Sequence, residues 1–167
     1  MAALIKAKLE VHSALSGNPQ KIEFMFNPSE LEFTRQVSWD SDRGNRSSTL
    51  LPKVNFSGVE PYTCTLQNLL FDTYETKKSV LTEYINNIRE GVTAKSSTIT
   101  RPPVYTLMWS EKYFHCVMTS LNYRLTLFLP DGTPVKAIVN IGLQEVDPTA
   151  LPAGRPSTQG TQDKRLG

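Results

Sequence analysis

The stretch that most constrains the fold is residues 123–143, because it reads as two strands with a tight turn between them. Apolar side chains recur there at every second position, which is the period of a strand that buries one face. The turn lies at residues 130–134, where Gly132 tolerates a positive φ and the flanking prolines lack the N–H that would extend a ladder. The apolar faces consist of Leu121, Tyr123, Leu125, Leu127 and Leu129 in the first strand, and Val135, Ala137, Val139, Ile141 and Leu143 in the second. A chain with so much pattern in one antiparallel pair is predicted to build its core on a sheet.

The same alternation predicts further strands along the chain. They are residues 4–11, 21–26, 31–39, 53–66, 104–109 and 112–119, with a break inside 53–66 at Gly58 and Pro61. Arg35 interrupts the apolar face of the third of these segments. It either reaches water at the rim of the sheet or faces a carboxylate of a neighbouring subunit.

Residues 79–89 are predicted to form one helix among these strands. Their apolar side chains follow a 3.6-residue period, and they are Val80, Leu81, Tyr84, Ile85 and Ile88. Ser79 is the predicted N-cap, and Arg89 followed by Gly91 marks the end. A single helix in a β-rich chain normally plugs or flanks a barrel or sandwich, so the predicted fold is mainly β and antiparallel with one flanking helix.

Two polar segments and a tail interrupt this pattern. Residues 40–52 form a segment near the length at which compact domains stop tolerating plain loops, so it is either disordered or used for contact. Residues 94–101 are a second polar loop. Residues 147–167 are rich in proline, glycine, serine and threonine, which predicts a flexible tail after a folded domain of residues 1–146.

Composition argues against several classes of function. A net charge of +2 is too small to indicate a nucleic-acid-binding protein. Cys64 and Cys116 lie in apolar strand-like sequence, which favours buried free thiols over a disulfide. His12 and His115 lack other ligands at metal-site spacing, so neither a metal site nor a cofactor is expected. Lysines interrupt the N-terminal apolar residues and no apolar run is long enough to span a membrane, which predicts synthesis and folding in the cytosol.

Motifs of the common enzyme classes are missing from the sequence. It contains no G-x-S-x-G elbow, no glycine-rich phosphate loop and no H-E-x-x-H pair. Asp72 and Glu75 precede the helix, where carboxylates favour the positive end of the helix dipole, so we interpret them as structural. No catalytic residue is assigned, and the protein is predicted not to be an enzyme.

Several segments taken in order resemble contractile injection system tube-type proteins, the hub or tube-initiator family. The segment FMFNPSEL at residues 24–31 resembles that family's F-x-F-N-P-x-x-L opening. LLFDTYET at residues 69–76 resembles the L-F-F-D-T-Y segment that precedes the family's helix. RPPV at residues 101–104 and LTLFLPDGTPV at residues 125–135 look like the rest of the signature. The resemblance covers residues 4–146.

This resemblance implies a phage-tail-tube-like β-barrel or sandwich that assembles into a hexameric ring. Such a ring is a structural adaptor, which joins the spike and baseplate hub to the inner tube and templates tube assembly. The implied partners are further copies of the chain, a spike protein, a tube protein and baseplate components, with no nucleic acid and no direct membrane insertion. The particle would be assembled in the cytoplasm and then either released or anchored to a membrane.

Unpaired strand edges are a liability in a monomer and can be satisfied by pairing around a ring. We therefore expect lateral edge pairing and the segment at residues 40–52 to hold neighbouring subunits together. The outer face of the terminal hairpin also carries two apolar residues that a ring could bury. The predicted interface residues are Asp40, Ser41, Asp42, Arg43, Gly44, Asn45, Arg46, Phe128 and Ile138.

Two further expectations concern an alternative function and the C-terminal tail. The alternative function is a monomeric β-barrel that binds a small ligand or a peptide, because a monomer tolerates two scattered apolar residues on its surface. The other expectation concerns the tail, since many relatives carry a peptidoglycan-binding LysM module after a similar linker. This sequence ends inside the linker, so the role of that module is expected to be absent or supplied by another protein.

Overall fold

The computed structural model describes residues 2–12, 21–41, 53–94 and 101–149. Within these ranges the chain is mainly β with one helical segment, as predicted, and every strand pair is antiparallel. The strands are β1 (Lys8–Val11), β2 (Ile22–Glu23), β3 (Glu32–Thr34), β4 (Val37–Ser41), β5 (Val54–Val59), β6 (Thr63–Asp72), β7 (Tyr105–Trp109), β8 (Glu111–Phe128) and β9 (Pro134–Glu145). No helix in the described ranges has the length and apolar character needed to cross a bilayer.

The β8–β9 hairpin confirms the strongest prediction from the sequence. At its turn the backbone N–H of Leu129 donates to the carbonyl of Thr133 at 2.8 Å, and Gly132 has a φ of 88°. The apolar face of β9 is fully buried, with Val139 and Ile141 at 0% exposure. The predicted strand at residues 112–119 runs directly into the first strand of the hairpin, so both belong to the 18-residue strand β8.

Seven strands form one sheet in the order β2-β1-β7-β8-β9-β6-β3. The two longest ladders flank β9, which pairs with β8 on one side and β6 on the other. A bulge between Leu66 and Leu69 interrupts the β6 ladder, and Asn68 there takes a φ of 55° while its N–H donates to Asn140 Oδ1 at 2.8 Å. Such bulges increase local twist and let a sheet curl around its core.

The core lies between this sheet and the helix, and both contribute buried side chains to it. Its largest fully buried side chains include Phe24, Phe71 and Tyr105, and the helix adds Ile85 and Ile88. Burying each large apolar side chain stabilises the fold by about 1.5–3 kcal/mol. The apolar stripe of the helix is therefore what holds it against the sheet, as the 3.6-residue period predicts.

The helix spans residues 81–92 in three geometries. It begins with π-helical turns at Leu81–Ile85, continues as α-helix at Asn86–Arg89 and ends in a 3₁₀ turn at Glu90–Val92. The predicted N-cap is wrong, because Val80 is the residue before the first turn and no side chain caps it. Ser79 contributes its backbone carbonyl instead, which accepts the N–H of Glu83 at 3.1 Å.

The predicted single strand at residues 31–39 is wrong, since the chain changes sheets within it. β3 pairs with β6 in the large sheet, whereas β4 pairs only with β5, and these two strands form a separate hairpin that we call the arm. Arg35 fixes the crossing point, because its Nε donates to the carbonyl of Glu60 at 2.8 Å and its guanidinium lies 4.5 Å from the Tyr62 ring centroid. Arg35 therefore anchors the base of the arm.

The first two predicted strands are shorter than expected. Only Lys8–Val11 and Ile22–Glu23 are strands, although Ala7 and Phe24 beyond them are buried in the core. Asn27 holds the residues before β1, since its side chain accepts the N–H of Ala7 and donates to the carbonyl of Ile5. An asparagine side chain thus replaces part of the predicted ladder.

Candidate functional site

The described residues contain no group of three or more histidine, cysteine, aspartate and glutamate side chains that could hold a metal ion. Cys64 and Cys116 are buried free thiols, as predicted. Burial raises the pKa of Cys64 to about 11 and that of Cys116 to about 12. Because the thiolate is the reactive form, both thiols are inert at neutral pH.

The two histidines contact one another in a small polar cluster. The ring centroids of His12 and His115 lie 4.3 Å apart, and Nδ1 of His115 is 2.9 Å from the hydroxyl of Thr106. Burial lowers the pKa of His115, and the nearby Lys112 and His12 lower it further. His115 is therefore a strand residue whose ring contacts the hydroxyl of Thr106 and the ring of His12.

The arm is the most exposed apolar element of the described chain. All five residues of β4 are exposed, and Trp39 and Phe56 each keep 59% of their surface accessible. These two rings pack edge to face with centroids 5.5 Å apart, while Val37, Val54 and Val59 are also exposed. An isolated two-stranded hairpin is marginally stable in water, so this apolar face needs a covering surface.

The structure places the predicted interface residues of the polar segment only in part. Asp40 and Ser41 are strand residues of the arm and pair with Asn55 and Val54. Asp42, Arg43, Gly44, Asn45 and Arg46 lie outside the described residues. Sequence reasoning missed the apolar face of the arm, although alternating apolar residues flank the polar segment on both sides.

Phe128 and Ile138 lie on the outer face of the β8–β9 hairpin, but not next to each other. Phe128 pairs with Pro134 and is 53% exposed, whereas Ile138 pairs with Arg124 and is half-buried. Their positions along β9 differ by four residues, or about 13 Å. Phe128 and Ile138 are therefore two separate apolar side chains and do not form a continuous apolar patch.

Over most of its length, strand β8 pairs on one side only within the described part of the chain. β7 pairs only with its first part, as far as Cys116, so residues 117–128 pair with β9 alone among the described strands. On the far side of the sheet, β3 covers only Thr63, Cys64 and Thr65 at the start of β6. Each uncovered stretch presents backbone donors and acceptors that another strand can pair with.

A groove of about 420 Å³ lies at the end of β6. The turn beneath it is rigid, because the hydroxyl of Thr73 donates to the carbonyl of Lys78 at 2.6 Å and its N–H donates to that of Val135 at 2.7 Å. The walls come from the turn, the segment after β2 and the π-helical turns. The lining residues are Met25, Phe26, Asp72, Thr73, Tyr74, Glu75, Thr76, Lys78, Glu83 and Tyr84.

The three carboxylates that line the groove differ in their contacts. Asp72 accepts the N–H of Tyr74 at 2.9 Å and lies 3.3 Å from the ammonium of Lys136, and these contacts hold its pKa below its usual value. These contacts agree with the structural role predicted for Asp72. Glu75 and Glu83 are exposed and have no ion-pair partner among the described residues. The groove therefore presents two exposed carboxylates, Glu75 and Glu83, beside aromatic rings.

Comparison with known proteins adds one finding to this geometry. A protein-family model described as "contractile injection system tube protein" matches residues 3–152 of the chain. A search of curated proteins finds no match. The matched region contains the whole described sheet, the arm and the groove.

Proposed function

We propose, because the chain belongs to the contractile injection system tube protein family, that it is a structural adaptor of such a particle. In this proposal it forms a ring that joins the spike and baseplate hub to the inner tube and templates tube assembly. Its role is architectural and not enzymatic, and it requires no cofactor. Further copies of the chain, a spike protein, a tube protein and baseplate components are its proposed partners.

The exposed apolar face of the arm carries this proposal. Trp39, Phe56 and three valines lie on two strands that contribute nothing to the core of the large sheet. A monomer gains nothing by keeping such a face in water, because exposed apolar area costs free energy. The face is accounted for if it is buried against a neighbouring subunit.

The free edges of the sheet support a ring. β9 lies between β8 and β6 in the sheet. The uncovered edge of β8, at residues 117–128, and the uncovered edge of β6 both face away from β9, so they lie on opposite sides of these three strands. Pairing one edge with the other is heterologous, so successive copies close into a ring when the rotation between them divides a full turn. We propose six subunits, with assembly in the cytoplasm and a particle that is then released or anchored.

The described interior argues against the alternative of a monomeric ligand-binding barrel. Such a barrel needs a cavity at its centre, whereas Phe24, Phe71 and Tyr105 fill the core with no exposed surface. The groove at the end of β6 lies on the surface and is open to solvent. A monomeric ligand-binding barrel is therefore less well supported than the structural adaptor.

Mass photometry of the full chain over a range of protein and salt concentrations, with electron microscopy of large species, tests the proposal. We expect a ring of about six subunits, formed by the chain alone or after the spike protein of the same particle is added. Deleting residues 41–48 should weaken the ring, because it removes the last residue of β4 and most of the polar segment that follows it in the sequence. A chain that stays monomeric both alone and with the spike protein would refute the adaptor function, and unchanged rings in the deletion would refute the role of the arm.

A further inference from the structure

We propose that His12 and His115 form an acid-sensitive clamp over β7, which ties the end of β1 to β8 while the rings are neutral and opens when both are protonated. The clamp is a property of the folded subunit, so it goes beyond the proposed function and exists with or without a ring. His12 and His115 are the two histidines of the chain. Histidine is the side chain whose ordinary change of charge falls between about pH 5 and pH 8.

The two rings meet although their strands are not neighbours. β7 lies between β1 and β8 in the large sheet, and backbones two strands apart are separated by about 10 Å. His12 follows β1 and donates its backbone N–H to the carbonyl of Val104 at 2.9 Å, while His115 lies opposite Thr106 of β7. The ring centroids are nevertheless 4.3 Å apart. The two side chains therefore bridge β7 from its two sides.

His115 is also held by the elements around it. Its Nδ1 lies 2.9 Å from the hydroxyl of Thr106, and its carbonyl accepts the N–H of Val146, the residue after β9, at 2.9 Å. Its ring borders an open cavity at the base of the arm, together with Arg35 and Val59. A proton from solvent can therefore reach the ring, and a change there acts on β1, on β7 and on the segment after β9.

The charges nearest to His115 favour its neutral form. Burial lowers the pKa of His115, and Lys112 of its own strand and His12 lower it further. Asp147, after β9, has the opposite effect and is the weakest of these influences. A second positive charge beside the pair is therefore unfavourable in the closed clamp.

The other charged groups that face the clamp already have partners. Glu10 of β1 lies opposite Thr106 and pairs with Lys8 at 2.6 Å. The carboxylate of Glu145, at the end of β9, accepts the N–H of Tyr62 at 3.1 Å. Across the cavity, Arg35 donates to the carbonyl of Glu60. The response of the clamp to acid is therefore set by the two imidazoles themselves.

Protonation of both rings places two positive charges in contact. In water, two unit charges about 4 Å apart shift an equilibrium about fivefold, and partial burial increases this factor. Separating the rings relieves the repulsion. We expect His12 to move, because it is exposed and follows the last residue of β1, whereas His115 lies inside the 18-residue strand β8.

The direction of the pH dependence follows from the lowered pKa of His115. The folded chain binds this proton more weakly than the unfolded chain, in which histidine has a pKa of about 6.5. The stabilisation is therefore fully present above the unfolded pKa and is lost as the pH falls through the folded pKa.

Nuclear magnetic resonance of the full chain tests the clamp between about pH 8 and pH 4. Carbon-13 labelling of the histidine rings gives two imidazole signals, whose chemical shifts report protonation. The nuclear Overhauser effect between the rings reports their contact. Protection factors of the amides of His12 and Val146 report opening, because these amides donate to the carbonyls of Val104 and His115.

The matched control is His12→Phe, which keeps an aromatic ring at this position and removes its charge. It retains every carboxylate of the wild-type chain, so it separates protonation of histidine from protonation of acids. The amide of Leu129 is the internal control, because it donates to Thr133 in the turn at the other end of β8.

We expect the effect between the rings to disappear as both imidazoles become protonated, with at least about a fivefold fall in the protection factor of the His12 amide. Leu129 should keep its protection, and His12→Phe should show neither change. Rings that stay in contact when both are protonated would overturn the clamp, as would the same loss of protection in His12→Phe or at Leu129. If His12→Phe fails to fold, the wild-type contact and protection factors still decide. Both readouts are independent of ring formation, so the adaptor function and the clamp stand or fall separately.

Discussion

The double substitution Trp39→Ser and Phe56→Ser separates assembly from folding. Both rings lie on the arm, pack against each other with centroids 5.5 Å apart and make no contribution to the core cluster of the large sheet. Their removal should lower the free energy of unfolding of the monomer by less than about 1.5 kcal/mol, the value of one edge-to-face aromatic pair. Unfolding of the large sheet should change little.

The expected effect on assembly is larger and follows from the exposed area. With 59% of each side chain accessible and about 200 Å² for a whole aromatic side chain, about 120 Å² of each ring is available for burial. At about 25 cal/mol per Å² the two rings together could contribute up to about 6 kcal/mol per arm. Association retains only part of such a gain, so we expect a loss of about 2–3 kcal/mol, or roughly 30- to 150-fold in Kd.

Analytical ultracentrifugation over a concentration series measures the association, and urea unfolding followed by circular dichroism measures the stability of the monomer. Tyr113→Ser is the matched control, because Tyr113 is an exposed aromatic residue outside the arm, on β8, where its ring packs against Phe33 of β3. It should leave association unchanged. If the double variant associates at the same concentration as the wild-type chain, the apolar face of the arm is not buried in the assembly and the reasoning fails.

Three further predictions concern the folded subunit. Ile141→Ala, in the centre of β9 with neighbours on both β6 and β8, should lower the free energy of unfolding in urea by about 2–4 kcal/mol, and a loss below about 1 kcal/mol would contradict the assignment of Ile141 to the core. Cys64 and Cys116, with pKa values raised to about 11 and about 12, should react with Ellman's reagent at pH 8 only after unfolding; rapid reaction of either thiol in the native protein would show that it is not buried. Asp72 has a lowered pKa, so its ionised form stabilises the fold above the unfolded pKa and the stabilisation is lost as pH falls through the folded pKa. Asp72→Asn should therefore cost up to about 1 kcal/mol at pH 7 and progressively less as the pH falls through the folded pKa of Asp72, and a loss that stays the same at every pH would rule out this linkage.

The parts of the fold that were predictable from the sequence are those in which the residue pattern is compatible with only one type of secondary structure. The β8–β9 hairpin combines period-two alternation with a Pro-Asp-Gly-Thr-Pro turn, and the helix has a 3.6-residue stripe in a sequence otherwise full of strands. The alternation also fixes the register of the strands, because shifting a strand by one residue would expose its entire apolar face. These elements accordingly lie where they were expected.

The arm was not predictable by the same reasoning. Residues 31–39 alternate without interruption except at Arg35, and alternation does not state which strand will be the partner. The separation of β3 from β4 depends on Arg35 reaching the carbonyl of Glu60 and the ring of Tyr62, which are 25 or more positions away. The groove was missed for a related reason, since its lining comes from the segment after β2, the turn after β6 and the helix. Residues of ordinary character become a site only when the fold brings them together.

The division between core and arm explains how such a subunit can be stable before it assembles. The core uses β6, β7, β8, β9 and the helix, and its buried residues include none from β4 or β5. The arm, the free edge of β8 and the groove all lie outside it, so substitutions there can change association without unfolding the subunit. The exposed face of the arm would still favour premature association, because apolar surface in water is attractive to any similar surface.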